Sequence, residues 1–257
     1  MTGPSRDSTK RFSDRVENYV RYRPRYPDGI LDVLRSEAGF TPAAIVADVG
    51  SGTGISAELF VRHGNMVFGV EPNADMRRAA EERFRDEPRF HSIAATAEAT
   101  TLESRSVDLV VAGQAFHWFA LEPTRQEFAR ILRPGGWVAL IWNARRTDTS
   151  EFLRAYEALL NRYGTDYGAV RHENIDQSVL RKFFAAGEFT FRSLPNEQRF
   201  DWEGLKGRLL SSSYAPTEDQ PEYRPMMAAL ERAFYDFAVG EEVRFEYDTE
   251  IYFGHVE

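Results

Sequence analysis

The stretch Val46-Ala-Asp-Val-Gly-Ser-Gly-Thr-Gly54 constrains what this chain can fold into more than any other. A short apolar, β-branched run passes directly into a turn with three glycines, and helical spacing follows from Ser56 to His63. Gly50, Gly52 and Gly54 let the backbone bend sharply and approach a ligand closely, because no Cβ intervenes. The same alternation continues downstream. Met66 to Val70, Phe90 to Ala94, Val107 to Ala112 and Trp137 to Trp142 read as strands, and Ala74 to Arg85 and Pro123 to Leu132 read as helices. Strand, helix, strand at this spacing means crossover connections, a parallel sheet and a doubly wound α/β fold. Val107-Asp-Leu-Val-Val-Ala112 is nearly continuous in apolar residues, as a strand buried on both faces should be. Arg133-Pro-Gly-Gly136 is expected to close a helix, with glycine as the left-handed cap.

Beyond residue 145 the rhythm changes. Helices are expected over Ser150 to Tyr163 and near Gln177 to Ala186, and a strand over Phe189 to Leu194. Val243 to Val256 alternates polar and apolar side chains, as a strand near a sheet edge would. Two helical patterns, Trp202 to Ser213 and Tyr223 to Val239, separate these strands and are too long for a hairpin turn. They read as an inserted helical cap beside the ligand site.

Composition removes several classes of function. The 257 residues contain no cysteine, which excludes disulfides, thiol nucleophiles and cysteine-ligated metal sites. His63, His91, His172 and His255 lack ligand-like spacing, so no metal is expected. A net charge of −8 argues against nucleic acid as the main partner. No apolar run approaches the ~18 to 20 residues of a membrane span, and Met1 to Phe12 does not read as a signal peptide. The expectation is a cytoplasmic protein with no membrane partner. One segment departs from the acidic balance: Arg15, Arg21, Arg23 and Arg25 interleave with Tyr19, Tyr22 and Tyr26. This reads either as a solvated amphipathic stretch or as a cationic, aromatic lid over an anionic or zwitterionic ligand.

The spacing of the glycines bears on the ligand. A dinucleotide fingerprint, Gly-x-Gly-x-x-Gly, would place glycine where Ile55 stands. No Lys-Ser/Thr follows Gly54, so the turn is not a phosphate-cradling P-loop either. S-adenosylmethionine (SAM) brings no phosphate, and Asp48 could hold its cationic end directly or through water. Glu71 ends the next strand, where a carboxylate reaches ribose hydroxyls; alternatively it satisfies backbone donors at a helix N-terminus. Asn73 can cap the following helix, and Met76 on that helix can pack on an adenine. Ala97 and Glu98, after the third strand, could read the adenine edge, or Glu98 could be a helix cap.

These residues resemble a known family. Asp48-Val-Gly-Ser-Gly-Thr-Gly54, Gly69-Val-Glu-Pro72, Ala97-Glu98, Val107-Asp-Leu-Val-Val111, Gln114-Ala-Phe-His-Trp-Phe119 and Leu132-Arg-Pro-Gly-Gly136 make the chain similar to class I SAM-dependent methyltransferases of type 11. Within that class it resembles trans-aconitate methyltransferase-like small-molecule enzymes. Tyr19-Val-Arg-Tyr-Arg-Pro-Arg-Tyr-Pro27 and Gly207-Arg-Leu-Leu-Ser-Ser-Ser-Tyr214 extend the resemblance loosely. It implies a Rossmann-like, doubly wound, mostly parallel seven-stranded sheet, with an antiparallel strand near one edge and a helical cap insertion. It divides the chain into an N-terminal helical lid (1–40), a SAM-binding core (41–145) and a remainder (146–257) with its cap at about 200–240. It further implies that Asp48, Gly50, Ser51, Gly52 and Gly54 surround the methionine part of SAM. Glu71 with Pro72 would stand at the ribose, Ala97 and Glu98 by the adenine, and Gln114 near the cofactor. S-adenosylhomocysteine would be the product. The Asn/Asp-Pro-Pro-Tyr/Phe sequence of amino-group DNA methylation is absent at Gln114-Ala-Phe-His117.

Methyl transfer from a sulfonium needs mainly alignment and exclusion of water, and a base only if the nucleophile must lose a proton. His117 is the candidate base, or else a histidine of the pocket wall. Phe116 and Trp118 read as aromatic walls or as core. Tyr19 and Arg23 are lid candidates, and Arg208, Ser211, Ser212, Ser213 and Tyr214 offer donors on the cap. The arginines tilt the acceptor toward a small acidic molecule, methylated on oxygen or another heteroatom. Two rivals stand beside this reading: a nicotinamide-dependent oxidoreductase, and a methyltransferase-like fold used only for binding.

Overall fold

The computed structural model describes residues 16–165, 167–169 and 177–257. Seven strands form one sheet in the order β3-β2-β1-β4-β5-β7-β6. They are β1 (Ile45–Val49), β2 (Met66–Val70), β3 (Phe90–Ile93), β4 (Val107–Gly113), β5 (Leu132–Arg145), β6 (Thr190–Phe200) and β7 (Val243–Gly254). The first five run parallel, while β7 is antiparallel to both β5 and β6. The helices are α1 (Val16–Tyr22), α2 (Gly29–Ala38), α3 (Ile55–His63), α4 (Ala74–Arg83), α5 (Leu121–Ile131), α6 (Glu151–Tyr163), α7 (Gln177–Phe183), α8 (Trp202–Leu210) and α9 (Tyr223–Phe237). This is the expected doubly wound α/β sheet with an antiparallel strand near one edge.

Alternation along the strands builds the two core layers. Ala47, Val49, Val110, Val138 and Leu140 pack on one face, against Phe128 and Ile131 of α5 and Phe183 of α7. Val46, Val67, Leu109, Val111 and Ile141 pack on the other, against Ile30 and Leu34 of α2 and Phe60 of α3. A third cluster joins α6, α8 and α9 to the start of β7 through Tyr156, Leu160, Leu205, Leu209, Leu230 and Phe245. The helices between β6 and β7 therefore share a core with α6.

The chain leaves β1 toward β2 on one side and returns through β4 on the other. The crevice where ligands bind in such sheets lies at the carboxyl ends of those strands. The segment after α1 crosses this end and is gripped by side-chain amides. Gln198 donates to the Tyr22 carbonyl at 3.2 Å, and Asn196 and Asn143 donate to the Arg25 carbonyl at 2.8 and 3.4 Å. Gly207 lets α8 approach this segment, since a Cβ there would lie 2.0 Å from the Tyr22 ring.

Two local expectations are corrected. Arg133-Pro-Gly-Gly136 does not cap α5, whose C-cap, Leu132, is already extended. The pairing of β4 with β5 slips there, from Val107 opposite Leu132 to Leu109 opposite Trp137, and Gly135 supplies a φ of +77° within that irregularity. The outer strand β6 reaches Phe200, six residues beyond Leu194. Every residue of its ladder finds a partner on β7, which outweighs the polar residues that made it look shorter. The lid assigned to residues 1–40 lies partly outside the described residues, which begin at Val16 and so omit Arg15.

Candidate functional site

The site begins where β1 ends. Gly50 and Ser51 both donate to the Val70 carbonyl, at 2.8 and 3.2 Å, which folds the turn back over β2. Gly50 has a φ of +70°, and a Cβ there would lie 2.5 Å from that of Ala115, so only glycine fits. Glu71, at the end of β2, is buried against this turn. Its two oxygens accept from the Gly52 amide at 2.9 Å and the Asn73 amide at 2.7 Å. Each carboxylate oxygen keeps a further lone pair for a ligand hydroxyl. Burial, the largest influence, pushes the Glu71 pKa up, while these two amides and Arg77 pull the other way.

Glu71 opens onto a cavity of about 290 Å³, whose walls include Pro72, Asn73, Met76, Thr96, Ala97, Glu98 and Phe119. Asn73 caps α4 by accepting from the Asp75 and Met76 amides, which presents the buried Met76 side chain to this space. Glu98 accepts from the Ala120 amide at 2.9 Å, at the start of α5, where Ala120 offers no capping side chain.

A second cavity of about 170 Å³ shares Tyr19, Gly50, Gly52, Gly113, Gln114 and Trp118 with the first. The two are lobes of one cleft. Gln114 stands at their junction with a φ of +57°, its amide donating to the Ile141 carbonyl and its side chain to the Asn143 carbonyl. The second lobe is cationic: Arg23, Arg145 and Arg208 line it, and among the described residues no acidic side chain does. Tyr214 faces all three guanidinium groups. Burial pushes its pKa up, yet the positive charges of Arg208, Arg23 and Arg145 outweigh burial and leave it below the ordinary value.

Residues 47–140, which run from within β1 to within β5 and hold the whole first lobe apart from Tyr19, match the family model for the methyltransferase domain. This segment is a methyltransferase domain. The chain is 34% identical over 61% of its length to an uncharacterised methyltransferase-like protein of Schizosaccharomyces pombe, and covers 60% of it. In general the chain spans little more than half the length of the curated relatives it matches first. The fold is that of a solved structure from Anaeromyxobacter dehalogenans described as a candidate type II methyltransferase: TM-score 0.67, 24% identity, 91% of this chain and 98% of that one. It is also that of a Haemonchus contortus phosphoethanolamine N-methyltransferase solved with phosphomonomethylethanolamine and S-adenosylhomocysteine: TM-score 0.54, 16% identity, 94% of this chain and 56% of that one.

In the methyltransferase domain, Gly50, Gly52, Glu71, Pro72, Met76, Ala97, Glu98 and Gln114 all line the first lobe. Ser51 and His117 line the second lobe, and Trp118 lines both. Outside the domain, Arg23, Arg208, Ser213 and Tyr214 line the second lobe and Tyr19 lines both. Several of the expected site residues lie off both walls. Phe116 is 3% exposed and is no wall of either lobe; it packs edge-on against Phe183. Gly54 caps α3 beneath a contact with Phe84 and does not reach the cleft. Asp48 is fully buried one layer below the turn, bonded to Ser56 Oγ at 2.7 Å, and touches no lobe directly. Its other oxygen has no hydrogen-bond partner, and burial pushes its pKa up to about 7. Ser211 and Ser212 are also buried off the wall, holding the Arg208 carbonyl and guanidinium respectively.

Tyr26, from the cationic and aromatic segment, lines the second lobe, and the sequence reading missed Asn143, Arg145 and Tyr167, which line it too. Asn143 and Arg145 end β5 just as His117 follows β4, so the same strand-end rule would have found them.

Proposed function

We propose that the chain transfers a methyl group from SAM to an oxygen or other heteroatom of a small acidic molecule. The observation that carries this reading is Glu71. Its carboxylate takes the Gly52 amide, the donor a pyrophosphate would need at this turn, and its charge repels phosphate. The same carboxylate suits two neighbouring ribose hydroxyls. Among the described residues, no lysine or arginine lines the lobe it opens onto.

Met76, Pro72 and Ala97 form apolar walls for the base, and the turn at Gly50 to Gly52 offers its backbone to the amino-acid part. When bound, the cofactor supplies a methyl group activated by a positively charged sulfur. Tyr19 and Trp118, at the junction of the lobes, keep water from the reacting atoms. His117, on the wall of the second lobe, is placed to take a proton from a hydroxyl acceptor, whereas a carboxylate acceptor needs none. The acidic character of the acceptor is supported by a lobe with three arginines inside a chain of net charge −8.

Calorimetric titration with S-adenosylhomocysteine tests the reading. The expected Kd is about 1 µM, or ~8 kcal/mol, with no heat from NADH. Binding of NADH in place of S-adenosylhomocysteine would overturn it.

A further inference from the structure

Among the described residues, the three arginines of the second lobe are short of negative charge. Arg208 keeps 5% of its surface exposed, and its partners, Tyr247 Oη at 3.4 Å and Ser212 Oγ at 3.2 Å, are neutral. Arg23 donates one nitrogen to the Ser211 carbonyl at 2.8 Å, and its buried Nε has no partner. The side chain of Arg145, 10% exposed, gives Nη2 to Glu157 at 2.5 Å and to Tyr167 at 3.0 Å, while its buried Nη1 has no partner. Among the described residues, three guanidinium groups thus meet one carboxylate. Burying charge without a counter-charge costs several kcal/mol, so such a cluster is retained where a ligand completes it. Planar forks of this kind match the oxygens of a carboxylate or phosphoryl group.

The charge lost on methylation fixes what that anion does. Methylation of an oxoanion destroys its charge. Guanidinium groups gripping the attacking oxygen would stabilise the reactant more than the transition state and slow the reaction. The arginines also line only the second lobe, while the nucleoside residues line the first.

We propose that Arg23, Arg145 and Arg208 form an anchor for an oxoanion that keeps its charge through the reaction. The acceptor carries a carboxylate or phosphoryl group in this cage and offers a different atom to the methyl donor at the junction near Gln114. That atom's lone pair forms the new bond to carbon, and the electrons of the breaking carbon–sulfur bond stay on sulfur. A hydroxyl nucleophile passes its proton to His117; a second carboxylate has none to lose. This rests on the methyl-transfer reading, whereas the cage itself can be tested without it.

The experiment titrates inorganic phosphate and, in a separate arm, malonate into the protein by calorimetry: alone, with S-adenosylhomocysteine and, for phosphate, with SAM. An anion should bind in the absence of any cofactor, and the tighter arm assigns the group as phosphoryl or carboxylate. Arg208→Gln and Arg23→Gln should each weaken it by about 10-fold or more, with S-adenosylhomocysteine affinity unchanged within roughly 2-fold. Arg208→Lys, which keeps the charge, guards against a Gln variant that fails to fold. Phosphate affinity should be the same with SAM as with S-adenosylhomocysteine, within roughly 3-fold, because an anchored anion lies away from the sulfonium. No binding of either anion at millimolar concentration overturns the cage. Binding more than tenfold tighter with SAM places the anion against the methyl group and overturns the anchoring role. Absence of heat from S-adenosylhomocysteine, with the anion still bound, counts against methyl transfer and leaves the cage standing.

Discussion

Asp48, buried beneath the glycine turn, and Tyr214, on the wall of the second lobe, are both acidic groups whose surroundings drive them in opposite directions. Beneath the glycine turn, Asp48 has one hydroxyl and one backbone amide for company and is pushed up to about 7. In the second lobe, Tyr214 is held below its ordinary pKa by three guanidinium groups, against the same burial. Among the described residues, the first lobe is lined by the carboxylates of Glu71 and Glu98 and by no arginine or lysine, whereas the second is lined by three arginines and no carboxylate. That polarity teaches which end suits a neutral ribose and which suits an anion.

Four measurements sharpen or break the contrast. The largest effect is expected from Glu71→Ala, which removes two charge-assisted hydrogen bonds to ribose and should weaken S-adenosylhomocysteine binding by roughly 100-fold. Phosphate binding in the other lobe should not change. If both fall together in calorimetry, the lobes are not independent.

Asp48→Asn comes next. The folded pKa of about 7 lies above the unfolded value of 3.8, so the folded chain binds more protons between these limits. Stability therefore falls as pH rises through roughly 4 to 7 and levels off above. The Asn variant should lose that slope and be more stable than the native chain at pH 8, by on the order of 2 kcal/mol. Denaturant melts at pH 5 and pH 8 check the sign, and an unchanged slope contradicts the assignment.

A smaller, spectroscopic change belongs to Tyr214. Arg208→Gln removes the largest of the charges that depress its pKa, so tyrosinate absorbance near 295 nm should appear at higher pH than in the native chain. The smallest effect is expected from His117→Ala. With an acceptor that is already anionic at the reacting atom, kcat should fall by less than ~10-fold. A loss of 10²–10⁴-fold would instead make His117 a true general base.

The contrast also explains what the sequence discloses. Apart from Tyr19 and residues 113–119, the first lobe comes from one run between Gly50 and Glu98, where each element hands its side chains to the next. Glycine spacing, a strand-ending acid and a capping asparagine are local features, so Glu71, Asn73 and Met76 could be placed in advance. The second lobe joins the turn at residues 50–56 and residues 113–118 to four distant segments, 19–26, 143–147, 167 and 208–214. Arg145 and Tyr167 share a lobe with Arg208 because α6, β7 and the cap share a core around Tyr156 and Leu209, and Arg145 lies over the Tyr156 ring. Nothing in the local pattern encodes that meeting. Phe116 and Trp118 show the same limit at closer range. They stand two residues apart on one short turn, yet Phe116 fills the core under α7 while Trp118 faces the cleft. The Arg133 to Gly136 segment was misread because a positive φ serves a strand irregularity as well as a helix end.

The most direct test is a crystal structure of the complex with S-adenosylhomocysteine. The account predicts both ribose hydroxyl oxygens within about 2.6–3.0 Å of the Glu71 carboxylate, the base between Met76 and Ala97, and the sulfur at the junction beside Gln114 and Trp118. A base lodged among Arg23, Arg145 and Arg208, with Glu71 left to its two backbone amides, would contradict it.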